Sequence, residues 1–339
     1  MNNLYKMIFL TTLISGTLIS ISSFSWISTW MGLEINLMSF IPLINSKKNI
    51  YSSESSMKYF LVQALASSSF LFSVISLMIL NSLNEFSLIN SSMILMMNSS
   101  LIMKMGAAPL HFWFPEVMNK MNWSQSIMLL TWQKIAPMVL ITYTFLNNSF
   151  SYLIVIMSVT VGSIVGLNQT IMQKIMAYSS INHIGWMMSS LFFMENIWLI
   201  YFTIYSTITI SLILIMKLFN IFSIKQLFQN MNNKSIIKFS FIINFLSLGG
   251  LPPFLGFLPK WIIIQNMINE KLIMMTMIMI LMTIITLFFY LRITFSILMF
   301  TYSENNWKTN KKTPPKKLPM FINMISTLGL IFSTIIINI

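Results

Sequence analysis

NSSLIMKMGAAPLHFWFPEVMNK, residues 98–120, places a lysine inside an apolar run and a helix break directly after it. Lys104 stands among Leu, Ile and Met; Gly106 and Pro109 then interrupt the helical pattern before Glu116, Asn119 and Lys120 close the stretch. In hydrocarbon a lysine near a helix centre costs about 2.5–3.5 kcal/mol on insertion scales, so it faces protein or a water-filled cavity. Broken backbone is confined in the same way, because its freed N–H and C=O groups need partners that lipid cannot supply. Two penalties within a few residues imply that the rest of the chain is arranged around them.

Composition agrees. Of 339 residues, 56% are hydrophobic and 8% charged, against roughly 25% charged in a soluble domain. This is an all-α polytopic membrane protein, with room for about ten to twelve crossings. The formal charge of +13 does not point to nucleic acid, because the lysines are scattered through short loops and form no stripe interleaved with aromatics. With no cysteine there is no disulfide, thiolate metal site or iron–sulfur ligand set. No phosphate loop, dinucleotide fingerprint, zinc-spaced ligand set or nucleophile elbow is present. Aspartate is absent and Arg292 is the one arginine, a codon bias that hints at organelle coding. Apolar residues begin within the first ten positions, so the first segment is expected to be retained.

Apolar runs bounded by polar or breaker residues predict eleven transmembrane helices: 4–22, 25–45, 57–80, 92–112, 124–146, 150–168, 175–194, 197–220, 237–269, 272–300 and 320–338. The fourth and ninth are discontinuous, the ninth because it contains GGLPPFLGFLPK, residues 249–260. On this map Lys6, Lys47, Lys48, Lys58, Lys120, Lys174, Lys217, Lys225, Lys234, Lys238, Lys308, Lys311, Lys312, Lys316 and Lys317 fall on the N-terminal side, and Lys271 alone falls opposite. Fifteen against one puts the N-terminus in the matrix or cytoplasm and the C-terminus across the membrane.

Gly249 and Pro252 repeat the Gly-x-x-Pro spacing of Gly106 and Pro109, followed by Pro259 and Pro115. Helices 1–5 (residues 1–148) and 6–10 (149–302) are therefore expected to be two five-helix repeats, inverted because each has an odd number of crossings. A basic loop and C-terminal helix (303–339) complete the chain. Matching broken helices in inverted halves are the best sequence pointer to an ion or substrate path. The basic loop, 303–319, reads as a solvated topology determinant, with anionic lipid or partner contact as the alternative.

Four charges fall inside helices: Glu34, Lys104, Lys134 and Lys260. One acid cannot pair three lysines. A lysine whose carboxylate partner moves can take up and release a proton near neutral pH, the chemical basis of a relay; static structural charges are the competing reading. On the seventh helix Ser179, Ser180, His183 and Ser190 share a face, as do Gln63 and Ser67 on the third. His183 is either a proton shuttle or a hydrogen-bonded packing histidine. His111 reads as an interfacial or capping residue. Arg292, Lys58 and Lys217 read as side chains that snorkel to the interface.

WMGLEINLMSFIPL around Glu34, KMGAAPLHFWFPEVM from Lys104, LLTWQKIAP around Lys134, GLNQTIMQKIMAYSSINHIGWM from Gly166 and NFLSLGGLPPFLGFLPKW to Trp261 carry a resemblance across almost the whole chain. It resembles the antiporter-like subunits of mitochondrial NADH:ubiquinone oxidoreductase, respiratory complex I, in the subunit 2 branch and its animal, insect type. That branch has eleven helices where bacterial and plant relatives have fourteen, and the three missing ones would precede the first helix here. The resemblance implies a proton-translocating subunit of the mitochondrial inner membrane, N-terminus in the matrix and C-terminus in the intermembrane space. Its partners would be other membrane-arm subunits and lipid, with no nucleic acid. It also implies no cofactor in this chain, with flavin, iron–sulfur clusters and quinone on other subunits. Carried over by residue, Glu34 would pair with Lys104, Lys134 would be the central relay lysine, Lys260 the terminal one, and His183 a position on the hydrated axis. Two other readings stay open: an independent sodium/proton antiporter, for which a carboxylate cluster is lacking, and a structural spacer that conducts no protons.

Overall fold

A computed structural model describes residues 2–45, 49–82, 87–144, 149–231 and 235–299. The basic loop and the helix expected at 320–338 lie outside the described residues. Among the described residues every regular element is helical, and the chain divides into two compact units, Met1–Ile154 and Val155–Ile339.

The first unit holds α1 (Asn2–Ser22), α2 (Trp26–Ile44), α3 (Ile50–Ser82), α4 (Ser87–Met105), α5 (Trp113–Lys120), α6 (Trp123–Leu130) and α7 (Trp132–Thr144). The second holds most of α8 (Ser149–Leu167), then α9 (Met172–Ser190), α10 (Glu195–Phe219), α11 (Ile224–Met231), α12 (Ser235–Gly249), α13 (Phe257–Asn269) and α14 (Ile273–Met299). Six of these, α1, α2, α3, α8, α10 and α14, are long and apolar enough to cross a membrane by length and composition. Each leaves large apolar side chains on its outer face, Leu65 and Phe72 on α3 and Leu281 and Phe288 on α14 among them. α9 is different: all of it except Lys174 and Tyr178 is buried, so its serines, Asn182 and His183 are enclosed by protein on every side.

Close helix approach fixes the start of each unit. A Cβ on Gly16 of α1 would stand 3.0 Å from the Asn36 amide nitrogen and 3.1 Å from the Gly32 carbonyl oxygen of α2. In the second unit a Cβ on Gly162 of α8 would stand 2.7 Å from the Asn182 nitrogen and 2.9 Å from the Tyr178 oxygen of α9. Both contacts use the same three positions, 146 residues apart.

The two breaks also match. Gly106 (φ +75°) and Gly250 (φ +80°) adopt the left-handed conformation just past the ends of α4 and α12. Each is followed by the same 6→1 bond, Ala107 N–H to Ile102 C=O at 3.3 Å and Leu251 N–H to Leu246 C=O at 3.3 Å, the Schellman way of ending a helix. The partner of Gly106 is thus Gly250, one residue beyond the Gly249 that spacing suggests. With that register Pro109 and Pro115 meet Pro253 and Pro259, and the helices that resume, α5 and α13, start at equivalent residues, 113 and 257.

Three elements differ from the sequence map. The fourth apolar run, expected at 92–112, ends as helix at Met105 and resumes as α5 to Lys120, because Gly106 takes a backbone conformation that a helix cannot contain. The fifth, expected to be continuous over 124–146, is split at Thr131. Pro137 has no N–H for the Gln133 carbonyl and its ring crowds that carbonyl, while the Thr131 hydroxyl donates back to Ile127 C=O at 2.8 Å. α11 was not foreseen; it is only eight residues long and lies in a stretch that reads as loop.

Candidate functional site

Lys104 occupies the last turn of α4, where the helix dipole favours a cation. Its side chain is buried, with the ammonium 5.8 Å from the Phe70 ring centroid. The carbonyls freed by the break are capped by side chains: Trp113 Nε1 donates to Met103 C=O at 3.1 Å and Gln63 Nε2 to Lys104 C=O at 3.2 Å. Glu34 on α2 is half-buried and its charge acts on Lys104. No ion pair within 4 Å joins the two among the described residues.

A small cavity opens beside this lysine, lined by Leu33, Asn36, Tyr59, Gln63, Lys104 and Gln133 and large enough for about one water. A hydrogen-bonded chain crosses it: Gln133 Nε2 donates to Asn36 Oδ1 at 2.9 Å, and Tyr59 Oη to Gln133 Oε1 at 3.5 Å. Lys134 follows Gln133 on the first turn of α7, directly after the unforeseen break. It is fully buried, its ammonium 5.8 Å from the Phe114 centroid. Phe114 is also the ring that a Cβ on Gly106 would strike, at 2.9 Å. One aromatic therefore packs against both the break and the second lysine.

Lys260 lies on the first turn of α13 and is buried. Its ammonium donates to Leu248 C=O at 3.2 Å and Gly249 C=O at 3.0 Å, the terminal carbonyls of α12, and stands 6.0 Å from the Trp186 centroid. In the repeat register Leu248 corresponds to Lys104 and Lys260 to Glu116. The two breaks thus carry their lysines on opposite halves, and Lys260 itself caps the Leu248 carbonyl, the counterpart of the Lys104 carbonyl that Gln63 caps in the first unit.

His183 is buried on α9, Nδ1 2.8 Å from Tyr201 Oη of α10. Ser179, Ser180 and Ser190 are buried with it. Ser67 is buried on α3 and donates to Ala64 C=O, so it ties its own helix. The sequence reading missed the tyrosines Tyr59, Tyr201, Tyr205 and Tyr290, and the Asn36–Gln133 bond. Spacing gives no signal for groups converging from different helices; the i,i+4 placement of Tyr201 and Tyr205 was the one clue. Lys58, read as snorkelling, is ion-paired to Glu116 at 2.7 Å and to Glu54 at 3.4 Å, and Lys120 also pairs with Glu54. This cluster joins α3 to α5. Arg292 donates to the Gln169 carbonyl at 3.2 Å, and His111 Nδ1 lies 3.2 Å from the Pro109 carbonyl, closing the first break. Among the described residues no group of three or more His, Asp or Glu could hold a metal ion.

Fold and site together define a polytopic helical membrane protein of the antiporter-like class, with lysines buried at interrupted helices. A family model described as NADH:quinone oxidoreductase/Mrp antiporter, TM, matches residues 23–286, and one described as NADH dehydrogenase subunit 2 C-terminus matches residues 287–337. The NADH-ubiquinone oxidoreductase chain 2 of Anopheles gambiae is 48% identical over 99% of both chains. That of Locusta migratoria is 45% identical over 97% of this chain and 96% of its own. Among solved structures, respiratory complex I from Thermus thermophilus matches with a TM-score of 0.85 at 19% identity, over 97% of this chain and 78% of that one. The Mrp complex from Dietzia sp. matches at 0.79 and 13% identity, over 96% and 75%. The chain belongs to the NADH-ubiquinone oxidoreductase chain 2 family.

Proposed function

We propose that the chain is the proton-translocating, antiporter-like subunit of the membrane arm of respiratory complex I in the mitochondrial inner membrane. Electron transfer from NADH to ubiquinone takes place on other subunits, which hold the flavin, iron–sulfur clusters and quinone. The observation that carries this reading is the burial of Lys104, Lys134 and Lys260, each beside a break in a helix and each within about 6 Å of an aromatic ring. A buried cation is expensive, and a merely structural membrane protein has no reason to hold three.

In this mechanism Glu34 is the movable partner. Its charge acts on Lys104 without a direct ion pair, so a small displacement toward that lysine favours the ammonium and a displacement away favours the free amine. Proton release from Lys104 then meets the cavity that Asn36, Tyr59 and Gln133 line, next to Lys134. Lys260 and His183 serve the second unit, with Lys260 as the terminal lysine. We read the chain as eleven crossings in two repeats. Matching glycine contacts and matching breaks support the repeat, and an odd number of crossings in each would invert one against the other. The excess of lysines on one side supports a matrix N-terminus.

Substituting Lys104 or Lys134 by alanine in the assembled complex should lower protons translocated per NADH oxidised while flavin-site NADH oxidation persists. Normal stoichiometry in both variants would leave the structural-spacer reading standing. Sodium-dependent transport by the isolated chain would favour an independent antiporter.

A further inference from the structure

The two units build the same kind of cavity from different chemistry. In the first it is lined by Leu37 of α2, the i,i+4 pair Tyr59 and Gln63 of α3, and Lys104 at the end of α4. In the second it is lined by His183 of α9, the i,i+4 pair Tyr201 and Tyr205 of α10, and Leu248 at the end of α12. The 146-residue register that superposes Gly16 on Gly162 sets His183 against Leu37 and Ser180 against Glu34. Where the first unit carries its carboxylate, the second therefore has a serine, and three tyrosine hydroxyls gather near it. Tyr205 is hydrogen-bonded with Ser180. Tyr201 Oη is 2.8 Å from His183 Nδ1. The buried Tyr290 hydroxyl of α14 faces Ser179. The far wall of the cavity is Ser247, Leu248 and Pro259, flanking the carbonyls that hold Lys260.

We propose that Tyr201 is a proton-passing residue of the second unit, handing protons to and from His183 beside this cavity. This rests on the proton-translocation reading above. A phenolic hydroxyl both donates and accepts. A proton arriving at Tyr201 Oη from the cavity is matched by departure of the hydroxyl's own proton to His183 Nδ1. In the reverse direction the imidazolium returns its Nδ1 proton to Tyr201 Oη as the hydroxyl releases its own to the cavity, and the phenol remains neutral throughout. No carboxylate is required, which fits a unit that has none among its buried described residues.

Tyr201→Phe keeps the ring that packs against His183 and removes only the oxygen. In the assembled complex it should lower NADH-driven proton translocation roughly a hundredfold or more, the range of a lost general acid–base group, with uncoupled NADH oxidation retained. A merely packing tyrosine would give no turnover-linked infrared signal. Here the tyrosine C–O band should shift when NADH is added, and the shift should vanish in Tyr201→Phe. Lys104→Ala serves as the reference. If it abolishes translocation while Tyr201→Phe translocates normally and keeps the band shift, the tyrosine inference fails and the general reading survives. If both variants translocate normally, both fail.

Discussion

Gly250 meets two demands that no other residue type satisfies together. Its φ of +80° lies in the left-handed region, where an L side chain costs about 1–2 kcal/mol. A Cβ there would stand 2.9 Å from Cδ and 3.1 Å from Nζ of Lys260. The glycine therefore ends α12 and leaves room for the ammonium that caps it. Gly106 carries the same backbone demand, but the side chain it accommodates is Phe114. Alanine at either position should lower the thermal stability of the purified complex by a similar amount. Only Gly250→Ala displaces a lysine, so only that variant should change the rate at which a neutral amine-reactive probe modifies Lys260. Equal rates in the two variants would mean that Gly250 is nothing more than a helix stop.

At the scale of elements, what was legible in the sequence is what local chemistry dictates. Gly106, Pro109 and the GGLPP run announce both broken helices, because glycine conformation and the missing proline N–H act on their own neighbourhood. The register of the repeat slipped by one because two adjacent glycines, Gly249 and Gly250, fit the spacing equally, and only the backbone conformation picks the second. The split between α6 and α7 stayed hidden because its cause, Pro137, lies six residues beyond the break at Thr131, inside an unbroken apolar run. The four charged positions stood out because charge in an apolar segment is visible without a fold. The polar groups that line the Lys104 cavity did not, since Asn36, Tyr59 and Gln133 come from three helices. That hydrogen-bonded chain ties α2, α3 and α7 around the Lys104 cavity. Asn36→Leu removes the acceptor of a part-buried amide, and stranding the Gln133 donor should cost about 1–3 kcal/mol. Replacing Gln133 by Leu as well should recover part of that loss, because the orphaned group goes with it. A double-mutant cycle on thermal unfolding of the complex measures the coupling, and strictly additive losses would mean that the bond contributes nothing.

On the scale of the whole molecule, the asymmetry of charge is a statement about orientation that the fold makes testable at a single residue. Fifteen lysines fall on one side of the eleven-helix map and Lys271 alone on the other. Lys271 sits at φ +62° in the short connection between α13 and α14 and is exposed, so nothing in its own unit hides it from an aqueous reagent. Positive charge is retained on the side from which insertion proceeds, which places the connection in the intermembrane space when the N-terminus is in the matrix. A membrane-impermeant amine reagent applied to the outer face of mitoplasts should modify Lys271 and spare Lys120 and Lys174. Applied to inside-out submitochondrial vesicles, it should reverse that pattern, with mass spectrometry reading both. Lys120 labels slowly even from the matrix side if its pair with Glu54 persists, whereas Lys174, half-buried on the first turn of α9, has no such partner among the ion pairs of the described residues. Modification of Lys271 from the matrix side would invert the topology. It would also put Glu54, Lys58, Glu116 and Lys120, the ionic cluster joining α3 to α5, on the intermembrane-space side of the membrane.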